Sequence, residues 1–416
     1  MLIEFNVTNF RSIHDEQTLS MVCDVGKEHK DQNTFATGMR SVPNLLRSVV
    51  IYGPNAAGKS NIMEAMRSMR MFVALSHSMQ EGENIEVEPF LLNSKSRMEP
   101  SEFVVFFMQD NVRYRYGFAV NNERVLSEWL TAYPEGRPQK WFERGVDDWH
   151  IGTNLSGTTE QIKLWKASTR QNALFLSTAV QLNNEQLKPV FNWFKQKLMV
   201  IKSSGIINWQ DSAIKCVSDE GKKRILEFMK AADIGILGIE VKEIRFEDDD
   251  SDLPPDILQK RKGWLARNPF DVKFAHKASD SGKVVEFDIS DESRGTQKLF
   301  AIAGQLLDVL TKGSVLFIDE LDTSLHPVIM RYLVSMFHDP KINKNNAQIV
   351  FTTHDTTILD AEVFRRDQVW FVEKDEYGAS RLYPLSDFSP RKGEALEKGY
   401  LHGRYGALPF IGDLKF

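Results

Sequence analysis

The sequence predicts an α/β fold with a mixed, mostly parallel sheet that helices cover on both faces. Three segments have the apolar runs of buried strands: residues 47–52, residues 315–320, which end in two carboxylates, and residues 348–353. Helical patterns follow at residues 59–76 and 327–338, so strands and helices alternate near both ends of the chain. Such alternation places parallel strands in one sheet between two layers of helices.

The composition is that of an ordinary globular protein. The 416 residues are 42% hydrophobic and 26% charged, which allows two or three domains or one large domain with insertions. The chain has no apolar run of roughly 18 residues, and its first residues lack the pattern of a signal peptide. Cys23 and Cys216 are too few and too far apart for a disulfide framework or a metal cluster. We expect a cytoplasmic protein without membrane contact, whose net charge of −5 neither requires nor excludes nucleic acid.

Residues 53–60, GPNAAGKS, fill every position of the phosphate-binding pattern G-x-x-x-x-G-K-[ST] between a strand and a helix. Backbone N–H groups of such a loop and the positive end of the helix converge on an anion, and the glycines let phosphate come close. Lys59 would hold the β- and γ-phosphates of a nucleotide, and Ser60 would be a ligand of Mg²⁺. The pattern predicts a P-loop NTPase. Three more residues of the loop and helix start are candidates for nucleotide contact: Asn55, Gly58 and Asn61.

The strand at residues 315–320 ends in two carboxylates, Asp319 and Glu320. In a P-loop fold, one carboxylate at such a strand end orients Mg²⁺ and a neighbouring acid can activate water. We assign the metal role to Asp319 and the role of general base to Glu320. His354 ends the next strand and could bond the γ-phosphate or the attacking water from the same sheet edge. A lone histidine at a strand end is more often structural, but its place after two matched motifs favours catalysis.

Residues 293–297, SRGTQ, open a second helix whose start could bind an anion. Ser293 and Gly295 would then contact a nucleotide held by another protomer, and two protomers could sandwich it symmetrically. Taken alone, a plain helix N-cap is the commoner interpretation of this segment.

The order of these motifs resembles the ATPase head of the ABC family, in the branch of the SMC and RecF proteins. Residues 9–12, NFRS, after the first strand are typical of that branch. Residues 293–297 resemble a degenerate signature motif, with Arg294 where the first of two glycines is usual. Residues 321–327 resemble the D-loop, and residues 352–355 resemble the switch-histidine motif.

Within that branch the chain is most similar to the compact ATPases of bacterial defence, of the AbiL and RloA type, which are relatives of the ATPase half of OLD proteins. Its first five residues and its tail at residues 403–409 are typical of that group. Too little chain follows residue 360 for the Toprim nuclease domain of OLD proteins. The absence of a coiled-coil pattern argues against long-range DNA tethering.

The resemblance implies an ATP site that two subunits of a homo-oligomer share. One subunit would supply the residues that bind ATP and Mg²⁺: Arg11, Lys59, Ser60, Asp319 and Glu320. The second subunit would cap the site with Ser293 and Gly295, and Asp322 would communicate across the interface. Gln181, predicted at the end of a buried strand at residues 174–179, is the candidate for the Q-loop glutamine and a further Mg²⁺ ligand.

By the same resemblance we expect an ATP-hydrolysing sensor or scaffold of a bacterial anti-phage, abortive-infection system that works with a separate effector, a nuclease. The alternative is a RecF-type ATPase of DNA repair or chromosome maintenance, with DNA contacts at basic clusters such as residues 222–224, 260–262 and 365–366, although surface solubility explains these clusters better. A third class, a scaffold that senses nucleotide without hydrolysis, fits the intact motifs poorly. The acidic segment at residues 247–252 is interpreted as a solvated loop.

The expected domain organisation has four parts. Residues 1–84 and 291–416 would form the two halves of the ATPase head, residues 85–150 an antiparallel β lobe, and residues 151–290 a helical and β insertion. Short β-rich runs separated by turn residues predict the lobe. Within it, Tyr114, Tyr116 and Phe118 alternate, which favours a core face.

Overall fold

The structure, a computed structural model, describes residues 1–202, 208–232, 235–244, 255–267, 269–390 and 393–409. The acidic segment predicted as a loop at residues 247–252 lies outside the described residues. The chain divides into two compact units. The first comprises Met1–Ser203, Leu310–Leu321 and Leu333–Phe416, and the second comprises Ser204–Val309 and Asp322–Tyr332. Across the described residues, no helix combines the length and the apolar character that crossing a membrane requires.

Strands and helices agree closely with the alternation that the sequence predicts. The strands are β1 (Leu2–Thr8), β2 (Gln17–Ser20), β3 (Thr34–Ala36), β4 (Asn44–Leu46), β5 (Ser48–Tyr52), β6 (Ser101–Gln109), β7 (Val112–Val120), β8 (Val125–Tyr133), β9 (Gln139–Arg144), β10 (Trp149–Ile151), β11 (Leu198–Ile201), β12 (Gly238–Glu243), β13 (Phe270–Lys277), β14 (Val284–Asp288), β15 (Val315–Ile318), β16 (Gln348–Thr352), β17 (Val369–Lys374) and β18 (Ser380–Pro384). The helices are α1 (Lys30–Asn33), α2 (Lys59–Leu75), α3 (Thr159–Ser168), α4 (Phe175–Gln181), α5 (Lys188–Asn192), α6 (Gln210–Cys216), α7 (Asp219–Ala231), α8 (Pro255–Arg267), α9 (Arg294–Lys312), α10 (Pro327–His338) and α11 (Leu396–Leu401).

A sheet of six described strands forms the centre of the first unit, in the order β11-β15-β16-β5-β17-β18. Neighbouring strands are parallel except for the pair β17 and β18. The prediction of a mixed, mostly parallel α/β sheet is therefore confirmed. Since parallel strands end at one edge, the segments that follow β5, β15 and β16 meet there.

An antiparallel sheet of seven described strands also belongs to the first unit, in the order β10-β9-β8-β7-β6-β1-β2. Asp110 and Asn111 connect β6 to β7 and both have positive φ, as a two-residue hairpin turn requires. Tyr114, Tyr116 and Phe118 are buried on β7. The antiparallel strands predicted within residues 85–150 and their aromatic core face are confirmed, and β1 and β2 extend the same sheet. A separate lobe bounded by residues 85–150 stays a prediction.

The predicted strand at residues 174–179 is wrong, because this segment forms the helix α4. A short run of buried apolar residues fits a strand or a helix equally well. The helix is fixed by Glu128 of β8, whose carboxylate accepts the N–H groups of Phe175 (2.6 Å) and Leu176 (3.0 Å). This acid caps the helix from a distant strand, so the local sequence gives no sign of it.

The carboxylate of Glu128 is also the centre of a buried polar network. Arg144 donates through Nε to its Oε2 at 3.0 Å, and the Tyr116 hydroxyl donates to its Oε1 at 3.0 Å. Glu128 is fully buried and Arg144 is nearly so. Burial, and next the charge of Glu128, raises the pKa of Tyr116 well above its usual range. The network joins three strands of the antiparallel sheet to α4.

The second unit contains α6, α7 and the antiparallel strands β12, β13 and β14, which pair in that order. The strands β13 and β14 follow one another in the chain and form an antiparallel hairpin. Ser212 of α6 donates to the carbonyl of Ala301 at 3.2 Å and accepts the N–H of Gly304 at 2.9 Å. The two helices, α6 and α9, come so close at Gly304 that a Cβ there would lie 2.8 Å from the Ser212 hydroxyl.

His338 ends α10 inside the first unit and is buried under the parallel sheet. Its Nε2 lies 2.7 Å from Oγ of Ser48, and Gln368 donates to the same hydroxyl at 2.7 Å. Burial, and next the positive charge of Arg47, lowers the pKa of His338 from an ordinary 6.5 to about 3. The imidazole is therefore neutral in the folded protein at neutral pH.

We expect this buried imidazole to weaken the fold as the pH falls. Because the unfolded chain binds a proton below pH 6.5 and the folded chain does not, stability is lost between pH 6.5 and 3, by up to about 1.4 kcal/mol per pH unit. Thermal unfolding between pH 7.5 and 5 checks this, with His338→Gln expected to flatten the pH dependence. His402→Gln, at an exposed position, is the control. Identical pH dependence of the two variants would contradict the prediction.

Candidate functional site

The loop at residues 53–58 connects β5 to α2 at the carboxyl edge of the parallel sheet. A Cβ at Gly53 would lie 2.3 Å from the carbonyl oxygen of Val372, so the loop passes too close to β17 for any side chain. Gly58 has φ 112°, and a Cβ there would lie 2.1 Å from Oγ of Ser380. Both pattern glycines are thus required by close packing and, at Gly58, by backbone conformation.

Lys59 is buried, and its side chain folds back over the loop. Its ammonium donates to the carbonyls of Gly53 (2.7 Å) and Pro54 (3.1 Å). A pocket of about 200 Å³ opens at this point, lined by Asn55, Ala56, Ala57, Gly58, Lys59, Ser60, Asn61, Glu320 and His354. The structure therefore brings the phosphate-binding pattern together with Glu320 and His354 of two neighbouring strand ends.

Two hydroxyl groups that the sequence did not single out brace the loop. Asn61 donates through Nδ2 to Oγ of Ser12 at 2.6 Å, and that oxygen lies 2.7 Å from Oγ of Ser380. Ser380 in turn donates to the carbonyl of Ala57 at 2.6 Å. The NFRS segment, to which Ser12 belongs, is a sequence pattern that could have identified this residue. Ser380 is the first residue of β18, and no sequence pattern around it predicts a contact with the loop.

Asp319 and Glu320 follow β15 and are half-buried. The backbone N–H of Asp319 donates to the carbonyl of Ile201 at 3.0 Å, so β11 holds the start of this turn. Glu320 has φ 50°, a left-handed conformation that costs a residue with a side chain about 1–3 kcal/mol. Such strain persists only where neighbouring bonds impose it.

The oxygen groups around the loop fit a magnesium nucleotide. Mg²⁺ is usually held by one or two protein oxygens together with the phosphates of its substrate. Ser60 offers a hydroxyl in the pocket, and Glu320 adds a carboxylate from the end of β15. Asp319 precedes Glu320 in that turn and is not among the described residues that line the pocket. Within the described ranges no group of three or more His, Cys, Asp or Glu could hold a metal by itself.

Arg11 lies beside the pocket of the loop, not among its lining residues. Its backbone N–H donates to the carbonyl of Glu88 at 2.7 Å, and its Nε lies 3.4 Å from Oε2 of the same residue. With Ser12 it lines a second pocket of about 280 Å³, whose other described walls are Glu88, Pro89, Phe90, Leu91, Leu92, Lys374 and Gly378. Ser12 therefore adjoins both the loop and this second pocket.

Gln181 is exposed at the last residue of α4 and is not among the described residues that line the loop's pocket. Its predicted role as a metal ligand depended on a strand ending at this point, and that strand is a helix. The position of Gln181 therefore gives no support to the predicted role. In the parallel sheet, β15 pairs with β16 on one side and on the other with β11, for which the sequence predicts no strand.

Ser293, Gly295 and Asp322 belong to the second unit. Ser293 caps α9, because its Oγ accepts the N–H of Thr296 at 3.1 Å. A Cβ at Gly295 would lie 2.8 Å from the carbonyl of Ser324, so the segment predicted as the signature packs directly against the one predicted as the D-loop. The N-cap interpretation holds within the unit, and a contact with nucleotide from a second subunit stays a prediction.

A family model described as "AAA domain, putative AbiEii toxin, Type IV TA system" matches residues 48–360, which is most of the chain. The chain belongs to this AAA family. The matched segment begins at β5, includes the phosphate loop, and ends beyond His354, so the predicted resemblance to ATPases of bacterial abortive infection is confirmed. A P-loop NTPase fold is likewise confirmed.

Two solved structures similar to this AAA protein are SMC head domains. The SMC head domain from Thermotoga maritima is 14% identical, with 92% of this chain and 98% of that chain covered and a TM-score of 0.40. The Smc head domain with an extended coiled coil bound to the C-terminal domain of ScpA, derived from Pyrococcus furiosus, is 12% identical, with 92% and 96% covered and a TM-score of 0.37. No curated protein is significantly similar to the chain.

Proposed function

We propose that this AAA protein binds ATP with Mg²⁺ at the loop of residues 53–60 and hydrolyses it to ADP and phosphate. The observation that carries the proposal is the single pocket that joins Lys59 and Ser60 to Glu320 and His354. Phosphoryl transfer needs little covalent chemistry from the protein, so catalysis consists of positioning groups and stabilising charge. This pocket offers a cation, a hydroxyl, a carboxylate and an imidazole in one place.

Each residue has a distinct task in the proposed reaction. Lys59 would exchange the carbonyls of Gly53 and Pro54 for phosphate oxygens, which are stronger acceptors because they are charged. Glu320 would accept a proton from the attacking water, and His354 would hydrogen-bond that water or the γ-phosphate. Ser60 and Asp319 would hold Mg²⁺, which neutralises phosphate charge when it is bound.

The nucleoside end of ATP would extend toward the second pocket. Ser12 supports this direction, because it hydrogen-bonds Asn61 at the start of α2 and also lines the pocket of Arg11. Phe90, Leu91 and Leu92 give that pocket an apolar wall for a base, and Arg11 supplies a cation for ribose or phosphate oxygens. The predicted role of Arg11 in nucleotide binding is thus supported by its place.

For the biological role, we infer an ATP-driven sensor or scaffold of an abortive-infection defence system, with the toxic activity, a nuclease, in a separate protein. The family description names an AbiEii toxin and a type IV toxin–antitoxin system, which supports a role in a system of this class, while the separate effector is our inference. A second subunit would complete the site through Ser293, Gly295 and Asp322. If ATP is bound by both subunits, its binding free energy stabilises their association, and hydrolysis removes that stabilisation.

The test measures ATP turnover and particle mass together, with and without duplex DNA. Turnover that DNA leaves unchanged, in a stable assembly, supports the defence scaffold. DNA-stimulated turnover with a steep salt dependence, in a dimer that forms only with ATP, supports the RecF-type alternative. Wild-type protein that binds ATP without any turnover, alone or with DNA, would overturn the enzymatic proposal and leave a nucleotide sensor.

Replacing Lys59 by alanine should weaken ATP binding by about 10- to 100-fold, because a hydrogen bond to a charged group contributes roughly 1.5–3 kcal/mol. Calorimetric titration with Mg-ATP measures the change. Lys163→Ala, at an exposed position of α3, is the matched control and should bind like wild type. Unchanged affinity in the Lys59→Ala variant would count against the role of the loop.

A further inference from the structure

Thr352 is the last residue of β16 and is fully buried between the two acids and the body of the sheet. Its hydroxyl donates to Oδ1 of Asp319 at 2.7 Å and accepts the backbone N–H of Glu320 at 2.7 Å. Its backbone carbonyl accepts the N–H of Leu321 at 3.0 Å. One residue on the neighbouring strand therefore bonds to three consecutive residues of the turn after β15.

The Thr352 hydroxyl acts as both a hydrogen-bond donor and an acceptor in these bonds. A threonine hydroxyl has one proton to donate and lone pairs to accept, and here the proton goes to a carboxylate. A bond to a charged acceptor is stronger than one between neutral groups, so the orientation of the Asp319 carboxylate is fixed. Valine has nearly the same shape but offers neither function.

The bond to the N–H of Glu320 bears on the strained backbone at that residue. Glu320 has a positive φ, which residues with a side chain rarely adopt unless their surroundings impose it. The bonds from Thr352 to the N–H groups of Glu320 and Leu321 lie on either side of the strained position. They hold the backbone in the conformation from which Glu320 lines the pocket of the loop.

We propose that Thr352 is a positioning residue for ATP hydrolysis: its hydroxyl sets the Asp319 carboxylate for Mg²⁺ and holds Glu320 for the attacking water. This inference rests on the proposed function and goes beyond it, since Thr352 itself does not line the pocket. Its hydroxyl bonds the carboxylate of Asp319 and the backbone N–H of Glu320. Loss of the hydroxyl should therefore affect turnover and the metal requirement more than the affinity for ATP.

The experiment compares Thr352→Val with Thr352→Ser, which keeps the hydroxyl. We expect Thr352→Val to lower kcat by about tenfold or more with KM for ATP changed less than about threefold, which is a loss of transition-state stabilisation. The Mg²⁺ concentration for half-maximal rate should rise in the same variant. Thr352→Ser should recover most of the turnover and of the Mg²⁺ dependence, which a merely structural contact would not predict.

A second readout does not depend on activity. Mg²⁺ should raise the melting temperature of ATP-bound wild type and of Thr352→Ser, and should do so much less in Thr352→Val. Thr178→Val removes a buried hydroxyl from α4 and controls for the general cost of this substitution. Wild-type kcat and Mg²⁺ response in Thr352→Val, or equal losses in the valine and serine variants, would overturn the inference. Wild-type protein without turnover but with the expected pattern of Mg²⁺-dependent melting would overturn the proposed hydrolysis and the role of Thr352 in holding Glu320 for water, and would support its role in setting Asp319 for Mg²⁺.

Discussion

Replacing Glu320 by glutamine is expected to lower ATP turnover by about 10²- to 10⁴-fold, the range that a general base contributes. The amide keeps the size of the carboxylate but does not accept a proton from water at neutral pH. Because the change leaves Lys59, Ser60 and the glycines untouched, ATP affinity should stay close to that of wild type. Phosphate release under steady-state conditions measures turnover, and titration with Mg-ATP measures affinity.

The same variant also tests whether nucleotide drives assembly. If ATP joins two subunits until it is hydrolysed, Glu320→Gln should accumulate the larger particle in the presence of ATP, and mass photometry would detect it. Glu376→Gln, in the exposed turn between β17 and β18, provides a glutamate control away from the pocket. Wild-type turnover in Glu320→Gln would refute the assignment of the general base.

Replacing Glu128 by alanine should destabilise the protein by about 3–5 kcal/mol, the cost of breaking a buried ion pair by removing one partner. The substitution leaves the Arg144 guanidinium buried without its carboxylate. It also removes the acceptor for the N–H groups of Phe175 and Leu176 at the start of α4, and for the Tyr116 hydroxyl. Chemical and thermal unfolding would measure the loss.

A control for this prediction lies on the adjacent strand. Glu143 of β9 forms an ion pair with Lys140, and both side chains are about half exposed. Pairs of this kind contribute roughly 0–1 kcal/mol, so Glu143→Ala should have little effect on the unfolding midpoint. Equal destabilisation by Glu128→Ala and Glu143→Ala would contradict the prediction that loss of the buried ion pair costs more than loss of the exposed one.

The sequence predicts well those site residues that belong to one short segment of the chain. The glycines, Lys59 and Ser60 follow one strand and open one helix, so a short pattern and its flanks suffice. Asp319, Glu320 and His354 are each identified by the end of an apolar strand. Because the strands are parallel, that position also predicts which edge of the sheet they share.

What the sequence did not predict depends on contacts between distant segments. An apolar run at residues 174–179 becomes a helix because Glu128, on another strand, caps it. Ser380 supports the loop from a hairpin more than 300 residues downstream. Thr352 was placed within the switch-histidine motif, but nothing near it shows that its hydroxyl faces the acids of another strand. Such partners become visible only in three dimensions.

The close packing of the phosphate loop also sets the smallest piece of chain that could function. The family match ends at residue 360, yet Gly53 is pressed against Val372 and Gly58 against Ser380. On the other side, Ser12 precedes the matched segment and holds Asn61. An expression fragment cut to residues 48–360 would keep the phosphate loop, Asp319, Glu320 and His354, but it would lose Arg11 and the segments that pack against the loop. Domain swaps and truncations of this protein should therefore keep both flanks with the loop.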